Sequence, residues 1–109
     1  MEISGPRVDM ESLEFEQGWA MHEGNLFTGV AFESWPDGKL RLEVPYLDGY
    51  RHGTEREWYP SGQLKMQREI AHGAVQGAAR EWAEDGRLLV EATYDHGKLI
   101  ERKRHDQTT

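Results

Sequence analysis

Gly53-Thr54-Glu55-Arg56-Glu57-Trp58-Tyr59-Pro60-Ser61-Gly62-Gln63-Leu64 returns 24 residues later as Gly77-Ala78-Ala79-Arg80-Glu81-Trp82-Ala83-Glu84-Asp85-Gly86-Arg87-Leu88. A looser copy precedes both: Gly29, Glu33, Gly38 and Leu40 hold the places of Gly53, Glu57, Gly62 and Leu64. Gly49, Gly73 and Gly97 form a further ladder with the same step. Self-similarity at one fixed period of this length marks an array of identical supersecondary units. Within each unit two short alternating runs are separated by turn residues, which is the pattern of a β-hairpin.

The turns carry the mechanism. Proline presets φ at the first turn position and glycine takes the left-handed one, so Pro36-Asp37-Gly38 and Pro60-Ser61-Gly62 close hairpins. Glu84-Asp85-Gly86 does the same without proline. The second turn of each unit is Asp48-Gly49, His72-Gly73 or His96-Gly97. A three-residue loop ending in a left-handed glycine is expected at both turn types, because it gathers the apolar side chains on one face. That face would carry Val30, Phe32, Leu42, Val44, Tyr46, Trp58, Met66, Ile70, Trp82, Val90 and Tyr94. The wet face would carry Glu33, Arg41, Glu43, Glu55, Glu57, Lys65 and Glu81.

The expected fold is therefore all-β: a single-layer, twisted antiparallel meander of hairpin repeats. Residues 1–28 break the period and read as a lead-in with capping strands. The array spans 29–104, in units 29–52, 53–76 and 77–100 plus a terminal half-unit, and 105–109 form a frayed tail. The cluster Arg102-Lys103-Arg104 puts charge on an outer strand, which discourages edge-to-edge pairing.

Composition narrows the function classes. The 109 residues contain no cysteine, so disulfide and zinc-thiolate chemistry drop out. Apolar residues are 37% and charged residues 30%, which suits an open sheet with a solvated face. A net charge of −7 argues against nucleic acid and anionic membrane, and favours a basic partner. The lack of a long apolar run leads to an expectation of a cytoplasmic protein.

Sites for chemistry are scarce. Glu33, Glu57 and Glu81 recur in register, but cross-strand ion pairing with Arg41 and Lys65 accounts for the first two. His72 and His96 replace Asp48 at a turn, where histidine tolerates the geometry, so no metal is needed to explain them. No phosphate loop or nucleophile elbow is present, and neither an enzyme nor a cofactor is expected.

The unit Gly-x-x-x-Glu-Trp-Tyr/Ala-x-x-Gly-x-Leu, as it stands at 53–64 and 77–88, resembles the MORN repeat. It is closer to the bacterial variant found in YwqK-type antitoxin proteins, and Leu26-Phe27-Thr28-Gly29 is similar to the lead that opens such arrays. The resemblance covers about residues 18–103. It implies a non-enzymatic interaction module: an antitoxin or immunity protein that docks on a cognate toxin, a self-associating scaffold that leaves a homodimer open, or a phospholipid-headgroup binder.

One anomaly suggests where a partner would sit. In the expected register Arg56, Arg68 and Arg80 fall on the apolar face, beside Trp58, Met66 and Trp82. Unpaired guanidiniums are costly in a sealed core, so this face is expected to be partly open. Trp, Tyr and Arg dominate interface hot spots, which makes Arg56, Trp58, Arg68, Arg80, Trp82, Met66, Tyr46 and Tyr50 the expected partner-binding set.

Overall fold

The structure, a computed structural model, describes residues 5–105. Its lead-in holds β1 (Arg7–Asp9), a 3₁₀ turn (Met10–Ser12), β2 (Glu14–Glu16), β3 (Trp19–His22) and β4 (Asn25–Leu26). The array follows as β5 (Gly29–Ser34), β6 (Leu40–Leu47), β7 (Tyr50–Arg51), β8 (Gly53–Trp58), β9 (Leu64–Ala71), β10 (Ala74–Trp82), β11 (Leu88–Asp95) and β12 (Lys98–Arg104). From β5 to β12 the main sheet is an antiparallel meander, with β7 paired to β6 beside the main path. β1 joins its near edge in parallel with β5, and β2-β3-β4 form a separate small sheet. The all-β hairpin meander is the architecture the glycine period implies.

The two turn types differ. At the first, Trp35 N–H donates to Lys39 O and Gly38 N–H donates to Trp35 O, closing a three-residue loop with Gly38 at φ 92°. Tyr59 to Gln63 and Ala83 to Arg87 repeat it. At the second, Leu47 faces Tyr50, Ala71 faces Ala74 and Asp95 faces Lys98, leaving only two residues between strands. Asp48, His72 and His96 have φ of 48, 50 and 51°, and the glycine after each is also left-handed. This is the primed two-residue turn that matches strand twist. The three-residue loop expected there is wrong.

A hydrogen-bond ladder selects the tighter turn. The backbone N–H groups of Asp48, His72 and His96 donate to side chains 20 residues earlier: Thr28 Oγ1, His52 Nδ1 and Gln76 Oε1. The following glycines donate to the carbonyls of Phe27, Arg51 and Val75. The later two turns are thus fixed by the preceding unit, and the first by the end of the lead-in.

A second departure follows each first-type turn. Glu33 faces Leu42, yet Ser34 faces Leu40; Glu57 faces Met66, yet Trp58 faces Leu64; Glu81 faces Val90, yet Trp82 faces Leu88. One extra residue per hairpin, a β-bulge, moves every later side chain to the other side. The expected single apolar face is therefore two half-faces. Leu42, Val44, Tyr46, Met66, Ile70, Val90 and Tyr94 lie on one; Val30, Phe32, Trp58 and Trp82 lie on the other.

The core sits where the lead-in covers the first half-face. Leu13, Ala20, Phe27, Ala31, Val44 and Tyr46 form one buried cluster, with Val8, Met10 and Leu42 packed against it. Further along the same face, Ile70 and Ala92 are the buried hydrophobic side chains among the described residues. Gly49 shows how closely the lead-in approaches: a Cβ there would lie 2.8 Å from Leu26 Cδ2, on a backbone already at φ 87°. His105, expected in the tail, donates its N–H to Leu89 O; residues 106–109 lie outside the described residues.

Candidate docking surface

The bulges separate the eight residues expected to bind a partner. Arg56 and Arg80 face Gln67 from either side, with Arg56 Nε donating to Gln67 Oε1 at 3.1 Å and Arg80 Nε at 3.4 Å from Glu91 Oε2. Trp58 and Trp82 follow on that same face, by alternation along β8 and β10. Arg68 and Met66 point the opposite way, since Arg68 faces Glu55 and Met66 faces Glu57. The three arginines therefore do not lie together on one sheet face, and each has an anionic or amide acceptor. Cation–ring contacts form elsewhere, at Arg41 over Trp35, Arg7 over Phe32 and Lys65 over Tyr59.

Glu55, expected on the wet face, is the buried charged residue at the boundary of the covered core. Its two oxygens accept from Arg51 Nη1 at 3.3 Å and Arg68 Nη2 at 3.2 Å. Two partly exposed guanidiniums compensate one buried carboxylate, an arrangement that offsets desolvation without leaving the charge unpaired. The expected pairs on the recurring glutamates do form: Arg41 bridges Glu33 and Glu57, and Lys65 Nζ lies 3.8 Å from Glu57. Glu81 has no cationic partner among the described residues. Nor do those residues contain a group of three or more His, Asp or Glu placed to hold a metal ion. No helix among them is long and apolar enough to cross a membrane.

A different surface stands out. Phe15 is 54% exposed, Trp19 43%, Tyr50 42% and Leu26 42%, and they gather at the join between the lead-in and the first two units. The Trp19 ring lies 5.4 Å from Tyr50, and Phe15 lies 6.5 Å from Tyr46, which in turn packs on Phe27. Tyr46 is buried, and that burial pushes its hydroxyl above the usual value; Arg51 pulls the other way. It is the floor of this patch, with Tyr50 on the rim. Two open depressions flank Trp19. One, about 650 Å³, is bordered by Glu16, Gln17, Trp19, Met21 and Leu26. The other, about 400 Å³, includes Phe15, Trp19, Tyr46, Tyr50, Arg51 and His72.

Local structure accounts for this exposure. Gln17-Gly18 and Glu23-Gly24 are primed two-residue turns like those of the array, so β2-β3-β4 is a tight three-strand unit. Only one side of so small a sheet can rest on the array. Ala20 goes inside, and Phe15 opposite it shares that side and reaches Tyr46, while Trp19, Met21 and Leu26 on the alternate side stay out. The sequence held a signal for this: Trp19 and Phe15 are large aromatics in a segment without the repeat's partners for them.

Charge also differs here. Residues 8–28 carry Asp9, Glu11, Glu14, Glu16 and Glu23 and no lysine or arginine. Glu11, Glu14, Glu16 and Glu23 make no ion pair among the described residues.

Compared with known proteins, residues 27–48 and 51–70 match the family model described as MORN repeat variant. No curated protein and no solved structure matches the chain. The third unit lies beyond the matched segments but repeats their turn, bulge and ladder hydrogen bonds. Residues 27–48 and 51–70 are thus similar to the MORN repeat variant, and the third unit shares their hairpin geometry.

Proposed function

We propose that this chain is a non-enzymatic protein-binding module whose partner docks on the patch formed by Phe15, Trp19, Leu26 and Tyr50. The observation that carries this is the clustering of four large exposed side chains at one place, where unpaired apolar surface on a small protein marks interaction. MORN repeats as interaction modules support the same class of function. The expected arginine–tryptophan set contributes Tyr50 at the rim and Tyr46 at the floor. Its remaining members lie on two opposite faces, each arginine held by its own acceptor.

The partner that best suits the reading is a toxin, neutralised by stoichiometric cover of its working surface. Its support is the resemblance of units 53–64 and 77–88 to antitoxin proteins of the YwqK type, together with the acidic chain, which would steer a basic protein toward it. Co-expression with the product of the adjacent gene tests this. Rescue of growth and co-purification are expected, and both should fall away in the Phe15→Ala/Trp19→Ala double variant. If no adjacent product is toxic or binds, the antitoxin reading fails.

A further inference from the structure

Within that docking reading, we infer that the depression between Glu16, Trp19, Met21 and Leu26 receives a lysine or arginine side chain of the partner, and that the depression beyond Trp19 receives an apolar neighbour. The first depression pairs an aliphatic floor with an aromatic wall and an acidic rim. Met21 and Leu26 suit the methylene stem of a long cation, while the face of Trp19 attracts its charged head. Glu16 stands at the mouth, and Glu14 follows it on the same side of β2, by strand alternation. Neither carboxylate makes an ion pair among the described residues. Most other carboxylates on the array strands already have a partner: Glu33, Glu43, Glu55, Glu57 and Glu91 are each ion-paired.

The second depression has no carboxylate among its lining residues. Arg51 borders it, and Phe15, Tyr46 and Tyr50 supply its walls. A cation is disfavoured beside that guanidinium, whereas a leucine, methionine or aromatic ring would rest on the rings of Phe15, Trp19, Tyr46 and Tyr50, with Gln17 and His72 at the polar edge. Trp19 belongs to both depressions, so the recognised element is a cation next to a large apolar residue. Bulk acidity alone would attract any basic surface. These two walls add an order and a spacing.

The test is selection of linear peptides from a random display library on the full chain, with counter-selection on Trp19→Ala. Peptides that carry lysine or arginine beside a large apolar residue are expected. Their affinity should fall about fivefold in Glu14→Gln/Glu16→Gln, as loss of two exposed charge contacts implies. It should also fall as salt rises from about 50 to about 300 mM, where screening shortens to a few ångströms. Both glutamates are exposed, so that variant leaves the core intact. Trp19-dependent peptides that are neutral or acidic would overturn the cation assignment while leaving the docking patch in place. Recovery of no Trp19-dependent peptide would overturn both.

Discussion

The first unit and the later two are built from the same hairpin, yet only the first is roofed. Over it, Leu13, Ala20 and Phe27 from the lead-in close on Ala31, Val44 and Tyr46. The matching face of the later units shows Met66, Val75, Val90 and Tyr94 half-buried, around an open depression of about 230 Å³. Identical backbone geometry therefore does not distribute stability evenly. Hydrogen bonds and turns repeat along the array, but the dry contact that contributes most to folding is concentrated at one end. Glu55 marks the boundary, clamped by Arg51 and Arg68.

The comparison breaks most sharply at the roof. Phe27→Ala, at a ring 3% exposed, should lose about 3–5 kcal/mol in urea unfolding. Val90→Ala on the open stretch should lose about 1 kcal/mol, because the site is already half in water. Equal losses would mean that the two ends are equally sealed. Next comes Glu55→Ala, which leaves Arg51 and Arg68 without their shared carboxylate and should cost about 2–3 kcal/mol. A neutral result would show the clamp to be solvated.

The glycine ladder offers a finer contrast. Gly49, Gly73 and Gly97 have nearly the same φ, at 87, 85 and 83°. Alanine at any of them meets the left-handed penalty of about 1–2 kcal/mol. Only at Gly49 would its Cβ also strike Leu26 Cδ2 at 2.8 Å; the nearest atoms at Gly73 and Gly97 are at 3.9 and 3.6 Å. Ala20 O at 3.3 Å and Trp19 Cβ at 3.4 Å crowd the same position, so thermal unfolding should rank Gly49→Ala below the other two, and a flat series would remove the close packing of lead-in on turn.

The smallest effect concerns acid. The hydrogen bond with His105, then that from Arg80, holds the Glu91 carboxyl below its usual value of 4.5. A carboxyl whose folded value is lowered adds stability that is present above its unfolded value and lost as pH falls through the folded one. Glu91→Gln should therefore lower the melting temperature slightly at neutral pH and flatten its decline below about pH 4.5. An unchanged acid limb would leave Glu91 without a part in it.

Which features were legible in the sequence follows from what sets them. Glycine spacing reports turns, so the hairpins, their period and the all-β meander could be read from Gly29 to Gly97. Facing could not. It depends on whether Asp48-Gly49 is a two- or three-residue loop and on an extra residue near Arg41, Lys65 and Leu89. The first is fixed by hydrogen bonds between units, such as His72 N–H to His52 Nδ1. The single extra residue near Lys65 sufficed to send Arg68 and Met66 one way and Arg56 and Trp58 the other. The aromatic patch was hidden for a related reason: it forms where β3 meets the Gly49 turn, a contact between segments that share no repeat pattern.

The docking claim is tested most directly by titration calorimetry of a Trp19-selected peptide, or of the co-purified partner, against two double variants. Phe15→Ala/Trp19→Ala should weaken binding at least about tenfold, as truncating a hot spot does, while Trp58→Ala/Arg80→Glu, checked for folding, should stay within about twofold. The reverse ranking would place the interface on the arginine–tryptophan face and contradict this account.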